Sequence, residues 1–161
     1  MTIKVGDKLP QATFRVMTAD GPAAKTTDGL LKGRKVVLFA VPGAFTPTCH
    51  KNHLPGYLAK AAEIKAKGVD AILATSANDV FVLDAWQKAT GAAGILEFLA
   101  DGNADFAKEI GLSMDGSGFG MGTRSQRYSM LIEDGVVKSL NVEEAPGKAD
   151  ASGAETMLGQ L

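Results

Sequence analysis

Cys49 is the only cysteine among 161 residues, and the residues around it decide what its sulfur can do. It lies in the stretch VPGAFTPTCH, residues 41–50, directly after an apolar, β-branched run, KVVLFAV, residues 35–41. That run reads as a buried strand ending at Pro42-Gly43. A helix start follows: Thr46 suits the N-cap, Pro47 the first helical position, and Cys49 falls in the first turn. Peptide N–H groups there lack intrahelical partners, and the helix dipole puts partial positive charge beside the sulfur. Both favour thiolate over thiol, and the thiolate is the nucleophile. The plainer reading of a lone cysteine is a small buried apolar side chain.

Other groups stand within reach of the same chemistry. Thr46 lies one turn before Cys49, so its hydroxyl can cap an N–H or donate to a substrate oxygen. Pro42 has no N–H and a rigid ring, which suits either a wall beside the sulfur or a strand terminator. His53 shares a helix face with Cys49 at i, i+4 and can act as a base or as a supporting side chain. A metal is not expected: structural zinc wants four N/S ligands, and the chain offers one cysteine and two histidines, His50 and His53. A cation comes from Arg124 or Arg127, which flank Ser125-Gln126 ahead of a second apolar run.

Pro42, Thr46 and Cys49 form P-x-x-x-T-x-x-C, and the longer string PGAFTPTCHKNHLPGY resembles the type II branch of the peroxiredoxins, which includes the fifth mammalian peroxiredoxin. The resemblance continues at VGDKLP, SANDVFVLDAW, GMGTRSQRYSM and DGVVKSLNVE, to about Glu143. It implies a thioredoxin-like fold and a thiol peroxidase for hydrogen peroxide and small organic hydroperoxides, with Cys49 passing through a sulfenic acid. It implies catalytic roles for Cys49, Thr46, Arg127 and Pro42. Gly43, Phe45, Thr46, Cys49, Arg127 and Phe119 would contact substrate or form its rim. Arg127 is chosen over Arg124 because the family's arginine immediately precedes this strand. His53 takes a supporting place, and a homodimer packing the active-site edges together is expected.

The chain departs from its relatives in one respect. The positions where some of them carry a second cysteine hold Ala74 and, approximately, Ala151. The sulfenic acid must then be resolved by an external thiol, with no resident cofactor: glutathione with glutaredoxin first, thioredoxin second.

The elements that must position these groups follow from periodicity. Strands are expected at 35–41, 69–75 and 96–99. Helices are expected at 47–67, with a break at Pro55-Gly56, from Ser76 or Asn78 to Gly91, at 103–110 and at 152–161. Runs 128–133 and 136–140 flank Asp134-Gly135, a strong hairpin signal. Segments 18–25 and 113–126 read as loops; alternate glycines at 116, 118, 120 and 122 lack the strand and helix of a phosphate loop. The pattern is α/β: a mixed sheet flanked by helices on both faces, in a single domain over 1–161.

Bulk properties narrow the function. With 17 basic and 18 acidic residues the formal charge is -1, which gives no field for nucleic acid. No apolar run approaches a membrane span, and the first residues read neither as a signal nor as a transit peptide. One cysteine suits a reducing, cytoplasmic setting. The alternatives to a peroxidase are a non-enzymatic redox sensor or binding module using Cys49, and a glutathione-dependent transferase. The first needs no built pocket; the second needs a helical domain for which this chain has no room.

Overall fold

The computed structural model describes residues 2–145 and 147–161. A hairpin of β1 (Thr13–Thr18) and β2 (Gly21–Thr26) leads into α1 (Thr27–Leu31), β3 (Lys35–Ala40) and, after the Cys49 loop, α2 (Leu54–Ala66). Then come β4 (Ala71–Ser76), α3 (Val80–Thr90), β5 (Glu97–Ala100) and α4 (Asp105–Glu109). Short strands β6 (Ser113–Asp115) and β7 (Thr123–Ser125), a hairpin of β8 (Tyr128–Glu133) and β9 (Val136–Val142), and α5 (Ala154–Gly159) complete the order. The main sheet has seven strands in the order β2-β1-β5-β4-β3-β8-β9, with β3 parallel to β4 and β4 to β5 and the other pairs antiparallel. It is the mixed sheet expected from sequence.

β3 is central and buried on both sides because its apolar run is continuous. Val37 and Phe39 enter one cluster with Tyr57 and Ile64 of α2, Leu83 and Trp86 of α3 and Met157 of α5. Val36, Leu38 and Ala40 enter the other with Leu30 and Leu31 of α1 and Phe106 of α4. Helices therefore cover both faces. The β8–β9 turn uses Asp134 and Gly135 at φ 47 and 81, the left-handed pair that a two-residue hairpin needs.

Register brings the site together. Ala40 pairs with Tyr128 across the antiparallel β3–β8 ladder, so Arg127 lies one step past the end of β3, where the Cys49 loop departs. Tyr128 belongs to the α1–α4 side, so alternation turns Arg127 to the α2 side.

Four expectations change. Segment 18–25 is not a loop: it holds most of β2, an edge strand containing Gly21, Pro22 and two alanines, whose weak strand signal is overridden by pairing to β1. Segment 113–126 contains the β6–β7 ribbon, closed where Gly116 N–H donates to Gly122 O at 2.6 Å. A Cβ on Gly116 would come within 2.9 Å of that oxygen, so glycine there serves a backbone crossing. The helix break lies ahead of Pro55, at a π-helical turn, Cys49–His53, in which Leu54 N–H reaches Cys49 O. A proline ring clashes with the carbonyl four residues back, so the widening appears in the turn preceding Pro55. The α3 cap is Asp79, which accepts from Val82 N–H, rather than Ser76 or Asn78.

Phe39 is the platform under the site. Its ring stacks on Tyr57 at 4.2 Å between centroids and lies 5.0 Å from His53. Phe39→Ala is expected to lower unfolding stability by about 3–5 kcal/mol in urea denaturation, the cost of emptying a buried aromatic site. A loss under about 1 kcal/mol would show that this platform is not part of the core.

Candidate active site

The first helical bond after the loop runs from His50 N–H to Thr46 O at 2.8 Å. The N–H groups of Thr48 and Cys49 lie ahead of that bond, and the Cys49 side chain is fully buried. Arg127 is 2% exposed, and its two terminal nitrogens divide their work. Nη2 donates to Cys49 Sγ at 2.9 Å, and Nη1 lies 2.9 Å from His53 Nδ1. The π turn places Cys49 and His53 so that one guanidinium spans both.

His53 has a determined hydrogen-bonding pattern. Its Nε2 lies 3.0 Å from the Ser152 carbonyl, which can only accept, so Nε2 carries the proton. Nδ1 is left with a lone pair for Arg127. Burial, then the neighbouring Arg127 charge, lower the His53 pKa to about 4, outweighing the Ser152 bond and Glu143. The imidazole is neutral, and its lone pair faces Arg127 rather than Cys49. This removes the base reading and keeps His53 as a support.

Thr46 behaves differently from an N-cap. Its hydroxyl donates to Gly43 O at 2.7 Å, using its single proton within the loop. What it can offer a substrate is lone pairs, to accept an O–H, not a donor. Pro42 is buried, and its carbonyl accepts from Arg124 Nη1 at 3.3 Å. Arg124, half-buried, also donates from Nε to Met121 O at 2.9 Å. It braces the loop and is not a solvated surface residue. A Cβ at Gly43 would meet Thr46 Cγ2 at 3.0 Å and Arg124 Nη1 at 3.2 Å, which explains glycine there.

Phe45 sits at φ 63 and is 48% exposed, stacked over His50 at 5.6 Å. A bulky residue is strained in that region and must be held. Asn78 Oδ1 accepts from Ala44 N–H at 2.9 Å, and Trp86 Nε1–H donates to His50 Nδ1 at 3.0 Å. Residue types alone do not announce these partners beyond the S-x-N-D string. Phe119, by contrast, is 85% exposed at the tip of the 116–122 turn; from that loop Met121 and Arg124 approach Gly43. Ala74 is buried inside β4, paired with Phe39 and Phe98.

The site can hold a sulfur anion against a fixed cation, beside a hydroxyl whose lone pairs are free to accept. His53 adds a pH dependence. It stays neutral in the fold down to about pH 4 but takes a proton near 6.5 when unfolded. The unfolded state then binds more protons, and stability falls as pH drops from 6.5 to 4. The slope is about 1.4 kcal/mol per unit, about 3 kcal/mol across the window. Urea unfolding at pH 7, 5.5 and 4.5 should show that slope in the natural chain and its loss, by one proton, in His53→Gln. An unchanged slope would mean that His53 is not the group responsible.

With this geometry in view, the comparisons with known proteins are consistent. A family model described as Redoxin matches residues 4–158. The chain is 52% identical over 166 residues to Peroxiredoxin-2E-2, chloroplastic, of Oryza sativa subsp. japonica, covering 99% of this chain and 73% of that protein. It is 42% identical over 163 residues to hybrid peroxiredoxin hyPrx5 of Haemophilus influenzae, covering 100% and 67%. Reduced Prx3 of Vibrio vulnificus in complex with H2O2 superposes with a TM-score of 0.93 at 53% identity, covering 99% of each chain. The fold is thioredoxin-like, and the chain belongs to the peroxiredoxins, in their type II branch.

Proposed function

We propose that this thiol peroxidase reduces hydrogen peroxide and small organic hydroperoxides at Cys49 and is returned to its thiol by an external reductant. The contact of Arg127 Nη2 with Cys49 Sγ carries the reading. The thiolate attacks one peroxide oxygen; an S–O bond forms, the O–O bond breaks, and the electron pair leaves on the other oxygen, which takes a proton to become water or an alcohol. Arg127 stabilises the anion and the departing charge with donors fixed in a fork. Thr46 accepts the substrate O–H, and Pro42, Gly43 and Phe45 shape the entrance. A redox sensor would need a reactive cysteine but not this arrangement around it.

Cys49 sulfenic acid is resolved by a thiol that displaces water to give a mixed disulfide, and a second thiol frees Cys49 and leaves as a disulfide. The reading of an external donor rests on the composition: Cys49 is the only sulfhydryl in the sequence. Glutathione with glutaredoxin is the leading donor and thioredoxin the second, in a reducing compartment such as the cytoplasm. No resident cofactor takes part in this reading. The exposed rings of Phe45 and Phe119 support a homodimer packed along the active-site edge.

Arg127→Ala should slow oxidation of Cys49 by hydrogen peroxide at least tenfold, about 1.4 kcal/mol of transition-state stabilisation, in stopped-flow measurements. An unchanged second-order rate would take Arg127 out of the reaction and point to Arg124. Intact mass spectrometry tests the resolving step. One equivalent of peroxide should add one oxygen, excess should add two, and glutathione should leave one adduct; Cys49→Ser should show none of these. A covalent dimer as the main oxidised product would instead make the partner copy's Cys49 the resolving thiol.

A further inference from the structure

Ser152 lies in a turn between β9 and α5, yet it is completely buried. Its carbonyl accepts two hydrogen bonds, from His53 Nε2 at 3.0 Å and from the Tyr57 hydroxyl at 2.8 Å. No strand ladder or helix fixes that peptide. The Glu143 carboxylate does: Ser152 N–H and Ser152 Oγ–H both donate to Oε2 at 2.6 Å. The N–H groups of Asp150 and Ala151 also point to it; burial raises the Glu143 pKa, but these bonds and those from Ser152 hold it below the usual range. Glu143 follows β9 directly, and its own N–H donates to the Arg127 carbonyl at 3.0 Å. The path therefore closes on itself. One residue holds the backbone of Arg127 and, through Ser152 and His53, one arm of its side chain.

We infer that Glu143 and Ser152 are positioning residues for the peroxidase reaction, fixing the His53 tautomer and through it the direction of Arg127 toward Cys49 Sγ. The inference rests on the roles of Cys49 and Arg127 given above. Its physical content is the direction of each proton. A carbonyl at Nε2 forces the proton onto that nitrogen, and only then does Nδ1 present a lone pair to the guanidinium. The other tautomer would set an N–H against an N–H, and Arg127 would turn away. Tyr57 reinforces the same carbonyl, and Phe39 stacks beneath Tyr57. The link crosses 99 positions of sequence, from the π turn to the chain's last segment.

A double-mutant cycle separates positioning from general support. Glu143→Ala is expected to slow the stopped-flow reaction of Cys49 with hydrogen peroxide at least fivefold, read from the fluorescence of Trp86, the only tryptophan. In the Arg127→Ala background the same change should cost less than twofold, because there is no longer an arm to aim. Glu143→Gln, which keeps an acceptor oxygen, should recover part of the rate and stands in should Glu143→Ala fail to fold. In nitrogen-edited NMR, His53 should be the Nε2–H tautomer in the natural chain and a mixture in Glu143→Ala. Losses that multiply with Arg127→Ala, or an unchanged His53 tautomer, would overturn the inference. A natural rate in Glu143→Ala beside a slow Arg127→Ala would overturn it alone; a natural rate in Arg127→Ala would overturn the active-site reading with it.

Discussion

A guanidinium with almost no access to water is the constraint around which this molecule is arranged. Removing a charge of that size from solvent costs several kcal/mol unless each donor finds an acceptor and an anion stands nearby. Cys49 Sγ and His53 Nδ1 meet the two terminal nitrogens of Arg127. The sheet register that sets Arg127 one residue beyond the β3–β8 ladder, the helix that starts at Pro47, and the buried platform of Phe39 and Tyr57 all converge on that group. Each is an ordinary feature of an α/β domain. Their common endpoint is what makes the site specific.

The π turn has a function that an uninterrupted helix would not serve. In an ideal α-helix, Cys49 and His53 would share one face, roughly one turn apart along the axis and about 40° apart around it. Widening the turn changes the angular relation between them, and both side chains then reach the same planar group from different positions. Pro55 supplies the cause, because its ring and its missing N–H disturb the bonds of the preceding turn. The sequence thus encodes the spacing through a proline that touches none of the reacting atoms.

Much of this was legible in the residues. The continuous β-branched run gave β3, Asp134-Gly135 gave the hairpin, Gly91 gave the end of α3, and the Thr46–Cys49 spacing gave the nucleophile at a helix start. Edge strand β2 was missed because Gly, Pro and Ala carry little strand preference; its neighbour imposes the conformation. The β6–β7 ribbon was missed because three-residue strands between glycines leave no periodicity to read. At the site, the direction of the Thr46 hydroxyl and the part played by Ser152 were hidden for a different reason. Ser152 acts through its carbonyl, a group every residue possesses, so no residue type announces it. Only the folded chain, which brings positions 53, 57 and 152 together, shows where that acceptor is needed.

The charges in the site explain why a neutral histidine belongs there. A protonated His53 would place a second cation against Arg127 in a buried setting, and burial together with Arg127 keeps that proton off. Arg127 is then the only cation touching the sulfur among the described residues, and a thiolate is the form of Cys49 that matches it. The thiolate that attacks a peroxide is also the form of sulfur whose charge offsets the buried guanidinium. A sulfenic acid at Cys49 would offer Nη2 an uncharged and weaker acceptor than the thiolate, so the guanidinium is best matched in the state that attacks.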